Sequence, residues 1–248
     1  MTYNILCGGH PMPGGPSRLE AILEVIQYGS PDILALQEAN GFDDPAVAAQ
    51  ISKTLGLPYY AVTQAPPFDD GKRYNVVTFS RYPIRNIHRF KGQAFETGAL
   101  SLDADSPLGP ISICNVHLHS TDEARRLAEI KTVLSYQDSC GPQIILGDFN
   151  ALSCFDPYTD DESEFGLQFD TIDEMNTRFI DLHHASRGGV CWTHPSRLPA
   201  DHSRRLNRRI DYVFASPAVA SHAGDVQAIT SDRAHCASDH FPLIVDFI

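Results

Sequence analysis

Apolar runs of strand length recur along this chain, and the most constraining of them, Ile144-Ile145-Leu146, stops abruptly at Gly147-Asp148-Phe149-Asn150. A run this short suits a buried strand, and the glycine, acid and amide mark its end. If the extended backbone continues through Asn150, alternation places Asp148 and Asn150 on one face and Phe149 on the other. A carboxylate and a carboxamide would then stand together at a sheet rim, anchored by a buried phenylalanine. A rim on a rigid sheet can hold polar groups that a core rejects. A strand that merely ends in a polar turn has the same pattern.

The rest of the chain repeats this design between helices. Thr2 to Leu6 reads as a first strand, running into a Gly- and Pro-rich loop over 8–16. Ser17 and Glu20 have capping-box spacing before a helix carrying Leu19, Ile22, Leu23 and Ile26, with Gly29 as its stop. Ile33 to Leu36 is a strand ending in Gln37-Glu38, and Asp44-Pro45 opens a second helix that Gly56 closes. Strand-like runs follow at Tyr59–Val62, Val76–Phe79, Ala99–Leu102 and Ile111–Leu118. Ser120 and Glu123 are spaced as another capping box, ahead of a helix with Leu127, Ile130 and Leu134 on one side. Phe155–Asp173 and Gly188–Arg208 read as surface loops, and Ile210–Ala215, Val226–Thr230 and Leu243–Phe247 as closing strands. With no repeat and no linker, the expectation is one α/β domain over residues 1–248, with mixed sheets covered by helices.

Composition excludes several classes. The chain has 248 residues, 42% hydrophobic and 20% charged, which is ordinary for a globular protein able to bury a substantial core. No apolar run approaches the roughly 20 residues that span a bilayer, and the N-terminal residues lack a signal-peptide pattern. Nineteen Lys and Arg against 31 Asp and Glu give a net charge of −12, which weakens any reading as a non-specific nucleic-acid binder. Cysteines at 7, 114, 140, 154, 191 and 236 form no C-x-x-C pair, so free thiols in a reducing, cytoplasmic setting are expected rather than a disulfide framework. The pairs His117/His119 and His183/His184 give only weak support for zinc. No G-x-S-x-G, Walker loop or dinucleotide fingerprint occurs.

The polar groups delivered by apolar strands are Asn4, Glu38, His117, Asp148 with Asn150, and Asp239 with His240. Asp211 is a further one, inside Arg209-Ile210-Asp211-Tyr212-Val213-Phe214, where a charge is costly without a partner. Thr2-Tyr3-Asn4-Ile5, Leu36-Gln37-Glu38, Ser80-Arg81-Tyr82-Pro83, Asn115-Val116-His117-Leu118, Gly147-Asp148-Phe149-Asn150, Arg209-Ile210-Asp211-Tyr212 and Ser238-Asp239-His240 follow in order along nearly the whole chain. Together they resemble the motifs of the endonuclease/exonuclease/phosphatase superfamily, the fold of deoxyribonuclease I. Single motifs such as L-Q-E are weak; the ordered set is specific.

The resemblance implies a four-layer α/β sandwich, two packed mixed β-sheets flanked by helices, that hydrolyses phosphoester bonds with a divalent metal, usually Mg²⁺, with Mn²⁺ as the substitute. It implies Glu38 as the main metal ligand, Asn4 beside it, and Asp239 as a further ligand or a neighbour of one. Oxygen donors suit such a hard cation. Asp148 would orient or deprotonate the attacking water, and Asn150 would donate to the charge developing on phosphorus. His240 would contact the scissile phosphate with Asp211 fixing its tautomer and raising its pKa. His117, rather than His119, takes the second phosphate-side place. Asn75 either lines the site or only turns the chain, and Arg204, Arg205, Arg208 and Arg209 form either a solvated face or a phosphate clamp. The expected partner is a phosphoester: a small or single-stranded phosphodiester rather than long duplex DNA, with a small phosphomonoester such as an inositol phosphate as the alternative. A phosphate-binding module without catalysis is the reading from another class. No protein partner is evident.

Overall fold

The computed structural model describes residues 1–12, 15–69, 71–92, 94–137, 141–158, 167–186, 189–198 and 207–248. In chain order the first half runs β1 (Thr2–Asn4), α1 (Leu19–Gly29), β2 (Ile33–Gln37), α2 (Pro45–Leu55), β3 (Tyr59–Thr63) and β4 (Val76–Ser80). Then come β5 (Ile84–Phe90), β6 (Gly98–Ser106), β7 (Gly109–His117), α3 (Glu123–Tyr136) and β8 (Gln143–Asp148). The last part holds α4 (Asp170–Asn176), β9 (Ile180–Asp181), α5 (Leu182–Ala185), β10 (Asp211–Ala215), α6 (Pro217–Ala220), β11 (Gln227–Ala228), α7 (Asp232–Ala237) and β12 (Leu243–Ile244). Two six-stranded sheets result, ordered β11-β12-β1-β2-β4-β3 and β5-β6-β7-β8-β10-β9. Each is mixed, with one parallel pair, β1/β2 or β7/β8, joined through a crossover helix, α1 or α3.

Period-two alternation builds the layers. In β2, Leu34 and Leu36 face outward into the cluster made with α1 residues Ile22, Val25 and Ile26, while Ala35 faces the other sheet. In β8, Ile144 and Leu146 face inward, and Ile145 joins Phe149, Tyr212, Phe214 and the α3 residues Ile130 and Val133 outside. The order is therefore helix, sheet, sheet, helix, the expected four-layer α/β sandwich. Burying each such Leu, Ile or Phe contributes roughly 1.5–3 kcal/mol. Among the described residues, no helix is long and apolar enough to cross a membrane. The described cysteines, Cys7, Cys114, Cys154, Cys191 and Cys236, are free thiols.

The inter-sheet face becomes polar towards the carboxyl ends of the parallel strands. Gln37 Nε2 donates to Asn115 Oδ1 at 2.7 Å and to Thr2 Oγ1 at 3.0 Å, and Asn115 Nδ2 donates to the Val77 carbonyl at 2.9 Å. All are fully buried, so these bonds tie β7 to β1, β2 and β4 and satisfy groups that would otherwise be costly. Gly147 has a backbone reason: φ is +142° and a Cβ would lie 2.0 Å from the Val116 carbonyl oxygen.

Several local expectations need correction. Neither capping box forms. Arg18 occupies the N-cap of α1 with no side-chain bond to the helix, and Ser17 Oγ accepts from Leu19 N at 3.4 Å. Asp122, not Ser120, caps α3, which frees Glu123 to pair with Arg126 and to accept from Thr171 N. The spacing of serine and glutamate is a local signal, and Glu123 finds better partners in Arg126 and Thr171 N. β5 is missing from the sequence reading because it is an exposed edge strand with Arg85, Asn86, His88 and Arg89 in place of alternation and a register shift between Arg85 and His88. α4 begins at Asp170, inside the last four residues of the expected loop 155–173, and runs on to Asn176, and residues 159–166 of that loop lie outside the described residues.

Asn115→Leu is expected to lower stability by about 1–3 kcal/mol, because Gln37 and two carbonyls lose a buried partner. Urea unfolding measures it; an unchanged midpoint would show that Gln37 re-pairs elsewhere.

Candidate active site

The four carboxyl-terminal ends of the parallel strands meet at one rim. β1 ends at Asn4, β2 delivers Glu38, β7 ends at His117 and β8 at Asp148. Register then adds Asp211, since β10 pairs antiparallel with β8 so that Asp211 faces Asp148, while the β7/β8 pairing sets His117 beside Asp148 on its other flank. His117, Asp148 and Asp211 thus form one row across three strands. Asp239 and His240 arrive on the segment before β12, held where Ser238 Oγ donates to the Asn4 carbonyl at 2.7 Å.

Asp148 is the hub. Its Oδ2 accepts from Asn4 Nδ2 at 2.9 Å and lies 3.7 Å from His117 Nε2 and 3.8 Å from His240 Nε2. Its Oδ1 accepts from Asn150 N at 2.9 Å. Asn4 Nδ2 also reaches Glu38 Oε1 at 3.3 Å, and Glu38 Oε2 accepts from Cys7 N at 3.0 Å. His240 Nδ1 is 2.8 Å from Asp211 Oδ2, which fixes the ring and leaves Nε2 facing the site.

The electrostatics push neighbouring groups apart. Burial raises the pKa of Asp148, and the Asp211 carboxylate beside it raises it further against the pull of His240. Burial raises Glu38 too, with His117 opposing and Asp239 adding repulsion. Burial disfavours a charged His240, but Asp211 and Asp148 outweigh it and hold its pKa well above the ordinary histidine value. His117 goes the other way, because burial there exceeds the attraction of Glu38. The two imidazoles are thus pushed in opposite directions, His240 towards its charged form and His117 towards its neutral one.

Backbone strain gathers at the same place. Leu6, Cys7, Glu38 and Asn150 have φ of 43°, 53°, 52° and 49°, left-handed values that cost non-glycine residues roughly 1–3 kcal/mol each. Asn150 corrects the expectation of continued alternation: β8 ends at Asp148, and the turn aims one N–H of the Asn150 amide at the Leu118 carbonyl, 3.0 Å away. Phe149 is buried as expected, against Tyr212 and Phe214.

The sequence-derived residues Asn4, Glu38, His117, Asp148, Asn150, Asp211, Asp239 and His240 are brought to this rim. Asn4 directs its amide nitrogen at the two acids and its Oδ1 at Leu6 N, so it braces the carboxylates. Asn75 does not line the site with a spare donor: its amide is spent on Asp43, Ala39 and Ala65 N, bracing the chain just after Glu38. His119 caps Thr121 and Asp122 through Nδ1, and His184 stacks on Phe155. Arg209 is neither solvated face nor phosphate clamp; it is buried between Asp156 and Asp181 with its guanidinium over Tyr212. Arg204 and Arg205 lie outside the described residues.

Two positions escaped the sequence reading. Buried Arg18 donates to the Ala237 carbonyl at 2.6 Å and so ties the loop after β1 to the segment carrying Asp239. His194, in a stretch taken for loop, has its Nε2 4.0 Å from Asp239 Oδ2 and its ring 4.8 Å from that of His240. No local pattern marks either.

Residues 1–240 match the model of the Endonuclease/Exonuclease/phosphatase family. The chain belongs to that family. Its membership makes it a hydrolase of phosphoester bonds. Among curated proteins none matches it by sequence. Solved structures share the fold throughout. A family protein from Leptotrichia buccalis C-1013-b matches with TM-score 0.73 and 15% identity, over 100% of this chain and 98% of that one. A 3' phosphatase from Neisseria, bound to product DNA hairpin, gives 0.72 and 21% over 100% and 98%. An AP endonuclease from Archaeoglobus fulgidus gives 0.71 and 17% over 99% and 97%.

A pH test follows from the Asp211 charge, which raises both Asp148 and His240. With Asp148 as a base and His240 as its protonated partner, activity would fall as pH drops through the Asp148 pKa and again as pH rises through the His240 pKa. Asp211→Asn is expected to move both limbs of the kcat/KM profile to lower pH. A profile displaced to higher pH, or not displaced, would contradict this coupling.

Proposed function

We propose that this chain is a divalent-metal-dependent phosphodiesterase, residues 1–248 forming one catalytic domain, that hydrolyses its substrate by direct attack of water. The observation that carries the reading is the Asp148 carboxylate, buried and set between two imidazole Nε2 atoms at 3.7 and 3.8 Å. Its raised pKa moves it towards the range where a general base works best. Water gives a proton to Asp148 as its oxygen bonds to phosphorus, and the bond to the leaving oxygen breaks with its electron pair. His240, charged and oriented by Asp211, holds a phosphoryl oxygen; the second N–H of Asn150 and neutral His117 complete the polar wall.

Glu38 and Asp239 fit a hard divalent cation. They are half-buried carboxylates that repel one another, and a cation there relieves that repulsion. Bound there, Mg²⁺ or Mn²⁺ supplies charge neutralisation for the phosphoryl and leaving oxygens. Among the described residues, the group at the rim held towards a positive charge is His240, and one such charge matches the single charge of a diester better than the two charges of a monoester. The net charge of −12 further favours a small or single-stranded substrate over long duplex DNA. The shared fold with an AP endonuclease and a 3' phosphatase supports substrates of nucleic-acid type. Free thiols accord with a reducing compartment such as the cytoplasm.

With bis-p-nitrophenyl phosphate and Mg²⁺, Asp148→Ala is expected to lose at least about 10²-fold in rate. Wild-type protein no faster than this variant with any divalent metal would sink the enzyme reading. Comparing that diester with p-nitrophenyl phosphate, plasmid DNA and RNA tests the substrate class; a preference for p-nitrophenyl phosphate would overturn the diester assignment.

A further inference from the structure

The stretch from Thr193 to Ser196 is hydrogen-bonded to both sides of the catalytic rim. Thr193 Oγ1 accepts from Ile210 N and Asp211 N at 3.1 and 3.2 Å. The Thr193 carbonyl accepts from Phe241 N, and the Asp239 carbonyl from Ser196 N, both at 2.7 Å. His194 also pairs with Arg208 through both backbone groups. The imidazole of His194 is thereby held against Asp239 and His240 by rigid backbone rather than by a free loop.

His194, Asp239 and His240 each bring one ligand atom to a group whose members lie within 4.8 Å of one another. Asp239 Oδ2 faces His194 Nε2 at 4.0 Å, and both side chains keep about a fifth of their surface open to solvent. Metal bonds of about 2.0–2.2 Å need these atoms somewhat closer, a contraction within reach of side-chain rotation. The His240 ring already has the support that metal-bound histidines have, its other nitrogen on the Asp211 carboxylate. Two imidazoles and one carboxylate form a nitrogen-rich set. That donor chemistry selects Zn²⁺ or Co²⁺ over Mg²⁺, in contrast to the oxygen set of Glu38 and Asp239.

We propose that His194, Asp239 and His240 form a second cation site, for a transition-metal ion such as Zn²⁺, and that its occupation stops hydrolysis. Binding releases the Nε2 proton of His240 to solvent, takes that nitrogen away from the phosphate and competes for Asp239 with the catalytic cation. Binding stands on the geometry alone, whereas inhibition rests on the role proposed above for His240.

The test is a Co²⁺ titration of the whole chain in excess Mg²⁺, read by visible absorption, with Zn²⁺ affinity from calorimetry. The wild type is expected to bind one ion with the intense bands of nitrogen-ligated Co²⁺. His194→Ala and His194→Gln, checked for folding by circular dichroism, should each weaken binding at least about tenfold, and His184→Ala should not. Zn²⁺ should inhibit wild-type hydrolysis of the diester, and each His194 variant should resist it relative to its own zinc-free rate. Unchanged Co²⁺ binding in both His194 variants would overturn the site. His194-dependent binding with no inhibition would overturn the switch alone. If the protein hydrolyses nothing, the function proposed above fails, yet the Co²⁺ spectra still decide whether the site exists.

Discussion

The 2.9 Å hydrogen bond from Asn4 Nδ2 to Asp148 Oδ2 joins the two sheets at the rim where their parallel strands end. It spans 144 residues of sequence, so it exists only when both crossover units have folded and packed. Below it, the Gln37–Asn115 pair makes a second polar tie, and below that the inter-sheet face is apolar. The sandwich is thus graded, with a hydrophobic interior that drives packing, an amide layer that fixes how the sheets align, and a rim where charged groups meet. Without the amide layer the apolar faces could slide, because hydrophobic burial has no directional preference. The polar groups at the rim depend on that alignment, since a functional constellation tolerates displacements of only a fraction of an ångström.

The same rim is where the fold works against itself. Asp148 and Asp211 are paired by register, and Asp239 repels Glu38, so burial and like charges raise the pKa values of Asp148 and Glu38 at the cost of stability. Left-handed backbone at Leu6, Cys7, Glu38 and Asn150 adds strain in the loops that deliver them. Such strain persists only where surrounding structure imposes it. Here the imposing elements include buried Arg18, holding the loop after β1, and Asn75, bracing the chain after Glu38. Two imidazoles at similar depth end up with opposite tendencies, His240 drawn towards its charged form by Asp211 and Asp148, and His117 towards its neutral form because burial outweighs the attraction of Glu38. A site assembled from identical residue types can hold distinct acid and base roles for this reason.

Much of the strand framework was legible because alternation is a local property. The run at 144–148 carries its inward and outward faces in its own residue order, and Phe149 falls on the apolar side as that order requires. Readings that depended on partners fared worse. Ser17 with Glu20 and Ser120 with Glu123 have the right spacing for capping boxes, but Asp122 lies nearer the start of α3, and Glu123 is drawn to Arg126. Arg209 looks like part of a basic surface cluster in one dimension and proves to be a buried cation between two aspartates in three. The edge strand β5 carries polar residues because one side of it has no neighbour, so its pattern resembles a loop.

By itself, the amino-acid order determined which residues could be buried, most of the strand framework, and that carboxylates, amides and imidazoles sit at strand ends. The ordered motifs also pointed to the endonuclease/exonuclease/phosphatase family. Tertiary structure decided what those groups do to one another. Register set Asp211 against Asp148, the packing of the sheets brought Asn4 to the same carboxylate, and backbone pairing at Thr193–Ser196 carried His194 to Asp239 and His240. Electrostatic and hydrogen-bond energies depend on distances of a few ångströms between residues far apart in sequence, and those distances are properties of the packed sheets rather than of any segment.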